Sequence, residues 1–196
     1  MKYLSLPFFL FCCLSSILTS AQSTFTGYAI HLQSGTQTNF KDEANAAFGL
    51  EMALLKENNV YSLAYNFHVE IIFPSDRNFP EEVHETSIFL GKYHDINFFR
   101  IRYGTGLSAN WGVLRGREIT LDQSSNSNGN PLFSAPNFYY EKAPFFVIGL
   151  PMQVAFHAFL SDHFSIGLHF HANLNNEKSY FMPRLSIAFG KQRKKN

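Results

Sequence analysis

The chain has 196 residues, a formal net charge of +1, 22 phenylalanines and 9 tyrosines. That length suits one domain, and the balanced charge gives no electrostatic case for a nucleic-acid partner. No apolar run after the N-terminal segment approaches the ~20 residues of a membrane helix, and the mean hydropathy of −0.11 reads as that of a water-soluble chain.

The N-terminus qualifies that last reading. Lys2, an apolar run from Tyr3 to Leu18, and the small residues of Thr19-Ser20-Ala21 form the three parts of a secretory signal peptide, residues 1–21, with cleavage expected after Ala21. Cys12 and Cys13 leave with it, so no disulfide or thiolate site is expected in the mature chain. Losing Lys2 also balances the remaining basic residues against the 15 acidic ones.

From Phe25 onward the chain alternates. The first predicted strand, Phe25 to Gln33, sets Tyr28, Ile30 and Leu32 against Gly27, Ala29 and His31. The second, Asn45 to Leu55, sets Phe48, Leu50 and Met52 against Ala47, Gly49 and Glu51, and a polar turn at Lys56 to Asn59 follows. The third, Val60 to Ile72, is the clearest: Tyr61, Leu63, Tyr65, Phe67, Val69 and Ile71 on one face, Ser62, Ala64, Asn66, His68 and Glu70 on the other. Strict period-two alternation of this kind is a strand with two unlike faces.

A Pro-containing loop, Phe73 to Glu85, leads to a fourth strand near Thr86 to Tyr93, where Ile88 and Leu90 compete with Phe89 and Tyr93 for the apolar face. The fifth, Phe99 to Trp111, carries Arg100 and Arg102 on its polar side. Gly112 to Pro144 reads as a long loop with a Ser/Asn/Gly-rich centre, its flanks near Arg117 to Leu121 extending the strands. The sixth strand, Phe145 to Leu160, contains Pro151, for which a bulge or local defect is expected. Ser161-Asp162-His163 turns into the seventh, where Phe164, Ile166, Leu168 and Phe170 oppose Ser165, Gly167, His169 and His171. The eighth sets Phe181, Leu185, Ile187 and Phe189 against Met182, Arg184, Ser186, Ala188 and Gly190, and residues 191–196 form a basic tail, read as periplasmic.

Eight strands with short links after the second, fourth and sixth, and longer ones after the odd strands, describe an all-β, eight-stranded antiparallel up-and-down transmembrane β-barrel over residues 22–190. A lipocalin-like secreted barrel shares the alternation but buries the apolar face. Three features favour lipid on that face. The polar side is rich in Gly, Ala and Ser, which suits the crowded interior of a narrow barrel. The apolar side lacks charge over long spans. Aromatics recur at strand ends: Tyr61, Phe99, Phe164 and Phe189 at one rim, and Phe73, Trp111, Phe146 and Phe181 at the other, the expected interfacial girdles.

Along its whole mature length the chain resembles small OmpA/OmpX-like outer-membrane β-barrels of Gram-negative bacteria. The likeness rests on Ile148-Gly149-Leu150-Pro151-Met152-Gln153, on Ala172 to Tyr180, and on Leu185-Ser186-Ile187-Ala188-Phe189-Gly190-Lys191. It implies an outer-membrane location, outer-membrane lipid as surroundings, and a closing strand that barrel-assembly machinery recognises.

The expected lumen charges are Glu51, Glu70, Arg100, Arg102 and Arg184, which must pair because isolated buried charge is costly. A Glu/Arg network plugging the lumen is the expectation, with a narrow gated pore for ions or small solutes as the alternative. His169 and His171 at i, i+2, with His157 on the neighbouring strand, could hold Zn²⁺, but nothing completes the set, so neither metal nor cofactor is assigned. Ser108, Ser165 and Ser186 lie on the lumen face without a nucleophile signature, so no enzyme is expected. The 112–144 loop, carrying Phe138, Tyr139 and Tyr140, is a possible surface for an external ligand.

Overall fold

The structure, a computed structural model, describes residues 25–38, 44–71, 79–119 and 139–192. Eight strands run in chain order: β1 (Gly27–Thr38), β2 (Ala44–Lys56), β3 (Asn59–Glu70), β4 (Glu82–Ile96), β5 (Phe99–Ile119), β6 (Tyr139–Ser161), β7 (Phe164–Leu174) and β8 (Tyr180–Phe189). Each pairs antiparallel with its neighbour, and β1 closes on β8 with Ile30 opposite Phe189 and Thr38 opposite Phe181. Closure leaves no sheet edge.

Two-residue turns at Glu57–Asn58, Asn97–Phe98 and Asp162–His163 mark one end, here the turn end. Glu57 and Asn97 have φ of 55° and 54°, the left-handed conformation that twisted hairpins require, which Asn adopts readily and Glu takes here without that preference. The opposite end, the loop end, carries the remaining connections.

Polarity is inverted relative to a water-soluble barrel. Large apolar side chains from every strand face outward, with Ile88, Leu107, Phe146, Leu160 and Leu185 all above 60% exposed. The inward positions hold Glu51, Glu85, Arg102, His157, His169, His171, Asn110 and Asn173, all nearly inaccessible. Apolar clusters inside are small: Ala47, Val83, Tyr180 and Met182 toward the loop end, and Ala53, Leu55 and Val60 toward the turn end. A lipocalin needs the opposite arrangement, and that reading is set aside.

Several predicted boundaries are too short. β1 runs to Thr38 rather than Gln33, and β4 covers Glu82–Ile96. β5 and β6 continue pairing through Ile119 and Tyr139, so the flanks of the 112–144 segment extend the strands as expected, and its bounds as a loop are too wide. Apolar alternation marks only the part of a strand with an apolar surrounding, whereas backbone pairing continues past it. A membrane strand needs ~9–11 residues, so the 21 residues of β5 and 23 of β6 form a hairpin that projects beyond the apolar band.

Pro151 produces the local defect expected of it and no bulge. The β5–β6 register is the same on both sides of it, with Thr105 opposite Met152 and Ser108 opposite Gly149. The ladder skips the pairs between, and Thr105 Oγ1 donates to the Pro151 carbonyl at 2.9 Å. The register shifts fall elsewhere, between Arg115 and Glu118 and between Phe159 and Ser161.

The ambiguous fourth strand is resolved. Ile88 and Leu90 face outward, and Phe89, 1% exposed, faces the lumen. Its register partner on β5 is Gly106, where a side chain would strike the Ile88 backbone, so the two strands approach closely there.

Candidate functional site

The lumen is the site that the fold builds, because it concentrates nearly all buried polar chemistry. Its contents form layers between the two ends.

At the turn end, Arg100 donates through Nε and Nη2 to both carboxylate oxygens of Asp95, at 2.6 and 2.8 Å. Its guanidinium lies 4.0 Å from the Tyr93 ring centre, and Nη2 also reaches the Gln192 carbonyl. Gln192 belongs to the stretch read as a basic tail, yet its side chain is buried and accepts from Ser165 Oγ at 2.8 Å. Residues 193–196 lie outside the described structure. A cavity of about 580 Å³, lined by Tyr93, Asp95, Arg100 and Gln192 among others, opens here.

The next layer centres on Glu51. Arg102 Nη2 donates to its Oε2 at 2.7 Å, Gln33 Nε2 to the same oxygen at 3.0 Å, and Gln153 Nε2 to Oε1 at 3.2 Å. Beside this pair stand three imidazoles, His31, His157 and His169, with ring centres 4.9 to 5.5 Å apart. His169 Nε2 lies 2.9 Å from His157 Nε2, and His169 Nδ1 lies 3.1 Å from Gln33 Nε2.

Toward the loop end, Glu85 accepts from Ser87 Oγ and Tyr180 Oη, and its Oε2 lies 3.0 Å from His171 Nε2. Ser108, Asn110 and Asn173 join this layer through amide hydrogen bonds of 2.8 to 3.2 Å. Arg184 donates to Asn66 Oδ1. At the mouth, Arg115 forks onto both oxygens of Glu70, and its backbone N–H donates to Glu81 Oε1. Lys178 also pairs with Glu81.

The five lumen charges expected from the sequence are all inward, but only Glu51 and Arg102 meet each other. Glu70 takes Arg115, Arg100 takes Asp95, and Arg184 takes an amide oxygen. One Glu/Arg network is replaced by separate pairs at successive depths. Arg115 was hidden in a segment read as loop. Glu85 became visible only with the β4 register, since an inward Phe89 makes Ser87 and Glu85 inward by period two. The expected histidine grouping also changes: His171 turns to Glu85, and His31 joins His157 and His169. His31 was on the polar face of β1, but sequence spacing does not show that β1 closes beside β7 and β8.

The rim aromatics fall at both ends. Tyr61 stacks edge-on with Phe25 at 6.1 Å, and Phe164 is the register partner of Phe189 with rings 5.1 Å apart. Phe99 begins β5 beside Phe98. Toward the loop end, Trp111 pairs with Phe146 and lies parallel to the His84 ring at 5.6 Å, and Phe181 stacks on Phe170 at 6.2 Å. Phe73 lies outside the described residues, as do residues 1–21 and 120–138.

No protein-family model and no curated protein matches the sequence. Solved structures do match the fold. Neisserial surface protein A is similar with a TM-score of 0.55 at 10% identity, over 85% of this chain and 96% of that one. The N-terminal β-barrel domain of Pseudomonas aeruginosa OprF gives 0.52 at 10% identity, over 83% and 96%. Ail, the attachment invasion locus protein of Yersinia pestis, gives 0.52 at 9%, over 84% and 96%. The chain has the fold of the small eight-stranded outer-membrane barrels. Ail has also been solved with the heparin analogue sucrose octasulfate.

Proposed function

We propose that this protein is a bacterial outer-membrane barrel, exported through its signal peptide and inserted by barrel-assembly machinery, with a structural or surface-interaction role. The inverted polarity carries this reading. A closed barrel with large apolar side chains outward on every strand, and buried charge inward, suits lipid outside and a packed lumen inside. The short turns then face the periplasm, the rim aromatics sit at the two interfaces, and the β5–β6 hairpin reaches outward from the cell.

The lumen is a plug in this reading, because charge pairs and amide bonds cross it at several depths. The role is non-enzymatic: the lumen serines at 108 and 165 bond to amide groups, not to a base. The projecting β5–β6 hairpin and the loop it carries are the surface for an external ligand. A polyanion of the kind bound to Ail is not the favoured chemistry here, because Arg115, Arg117 and Lys178 already sit on Glu70, Glu141 and Glu81.

Two measurements test the reading. The protein should fractionate with outer membranes and shift its gel mobility on heating; a soluble periplasmic protein without that shift would overturn the location. In planar bilayers the folded protein should show no stepwise conductance, and stable ohmic steps would replace the plug with the gated-pore alternative.

A further inference from the structure

His171 is a lumen histidine held by an acceptor, Glu85. The group on β1, β6 and β7 is built differently. Each of His31, His157 and His169 offers a ring nitrogen, and these three atoms all lie within 4.8 Å of one another. All three side chains are at most 4% exposed. His31 Nδ1 and His157 Nδ1 have no hydrogen-bond partner in the protein.

We infer that His31, His157 and His169 form a binding site for one imidazole-favouring divalent metal ion, Zn²⁺ or Cu²⁺, inside the barrel. Tetrahedral Zn–N bonds of 2.0–2.1 Å place ligand nitrogens roughly 3.3 Å apart. The observed 2.9 Å between the two Nε2 atoms, and the 4.8 Å limit for the set, bracket that spacing within small ring rotations. The scaffold supports the rings. Gly167 is the register partner of His157, and a side chain there would strike the His157 imidazole. Without the ion, Gln33 Nε2 donates to His169 Nδ1 and to Glu51, and Arg102 Nη1 lies 3.4 Å from His31 Nε2. Ligation therefore requires the His169 proton to move to Nδ1 and the Gln33 amide to turn its oxygen toward it, the outer acceptor that orients metal-binding imidazoles.

The donor set selects the class of ion. Three nitrogens without a carboxylate suit zinc and copper and exclude hard, oxygen-seeking calcium and magnesium. Three protein ligands leave a fourth position for water or a small anion, unlike a closed structural site. Glu51 is engaged by Arg102, so that pair adds no net charge beside the ion. The turn-end cavity lies on the same side of the lumen, since Arg100, which lines it, is the register partner of His157.

The site depends on the barrel fold and not on its cellular role, so it stands or falls independently of the plug. The test uses the full chain folded in detergent micelles, stripped with EDTA, and titrated with Zn²⁺ against a chromophoric chelator. One equivalent should bind. Removing an outer partner of a metal ligand costs ~10–100-fold in affinity, so H157Q or H169Q, each removing a ligand, should lose at least ~100-fold. H171Q, and the exposed-site variants H94A and H163A, should bind as the parent does. Cu²⁺ electron paramagnetic resonance on the unmodified protein should show imidazole nitrogen couplings from three ligands. Absence of stoichiometric Zn²⁺ binding, binding retained in a heat-modifiable H157Q, binding abolished by H94A or H163A, or fewer than three coupled imidazoles would each overturn the site. If a ligand variant does not fold, the Cu²⁺ spectrum of the parent decides.

Discussion

Two layers of the lumen, a few residues apart along the strands, solve the same problem in opposite ways. Around Glu85 the partners are two hydroxyls and one imidazole, from Ser87, Tyr180 and His171. Around Glu51 the decisive partner is a full cation, Arg102, with Gln33 and Gln153 completing the carboxylate. The first layer is a set of hydrogen bonds among mostly neutral groups. The second is an ion pair, and its histidines contact one another, Gln33 and Arg102 and no carboxylate. Buried charges tolerate loss of a partner far less than buried dipoles do, because the orphaned charge keeps its full desolvation penalty.

The sharpest way to break the comparison is to remove one charge from the ion pair. Glu51→Gln leaves Arg102 buried without a counter-charge, and breaking such a pair costs ~3–5 kcal/mol. Urea unfolding of the barrel in lipid vesicles should show that loss as a lower midpoint. Glu51→Gln with Arg102→Met should recover much of it, because two apolar or neutral groups of similar volume are often tolerated. A double variant no better than the single would mean that the carboxylate is needed for the histidine layer as well.

Glu85→Gln should cost less. The amide oxygen in the Oε1 place still accepts from Ser87. The new N–H₂ in the Oε2 place faces His171, whose ring nitrogen accepts when neutral, and the Tyr180 hydroxyl, which accepts while donating to Asn110 Oδ1. The expected loss is ~1–3 kcal/mol, the range for disturbing a buried hydrogen bond, measured by the same unfolding assay. A loss equal to that of Glu51→Gln would show that the two layers are electrostatically alike and that the distinction drawn from their partners fails.

The contrast also explains what could be read from the chain. Alternation gave the strand number, the order and the direction of the faces, because an outward Leu or Phe at every second position is a local signal. It located Glu51, Arg102, His157 and His169 on the inner face correctly. It did not supply partners, since those are set by closure and stagger. Glu70 finds Arg115 across 45 residues, and His31 meets His169 only because β1 seals against β8. Where the pattern itself was mixed, as at Ile88-Phe89-Leu90, the reason was a large aromatic admitted to the lumen opposite Gly106. Where the pattern ended early, as beyond Trp111, the strands had left the apolar band while still pairing.

The smallest effect belongs to a pair with the same chemistry outside the barrel. Arg117 and Glu141 form an ion pair at 3.3 Å on the projecting β5–β6 hairpin, with side chains 80% and 49% exposed. Water solvates both groups whether or not they meet, and salt screens what attraction remains. Arg117→Ala should therefore change the unfolding midpoint by less than ~0.5 kcal/mol, and the remaining effect should vanish in 1 M salt. The Glu51–Arg102 pair, at 2.7 Å and almost fully enclosed, should keep most of its dependence on both partners under the same salt. If Arg117→Ala instead costs as much as Glu85→Gln, the hairpin packs against a surface that excludes water, and its exposed pair belongs to an interface.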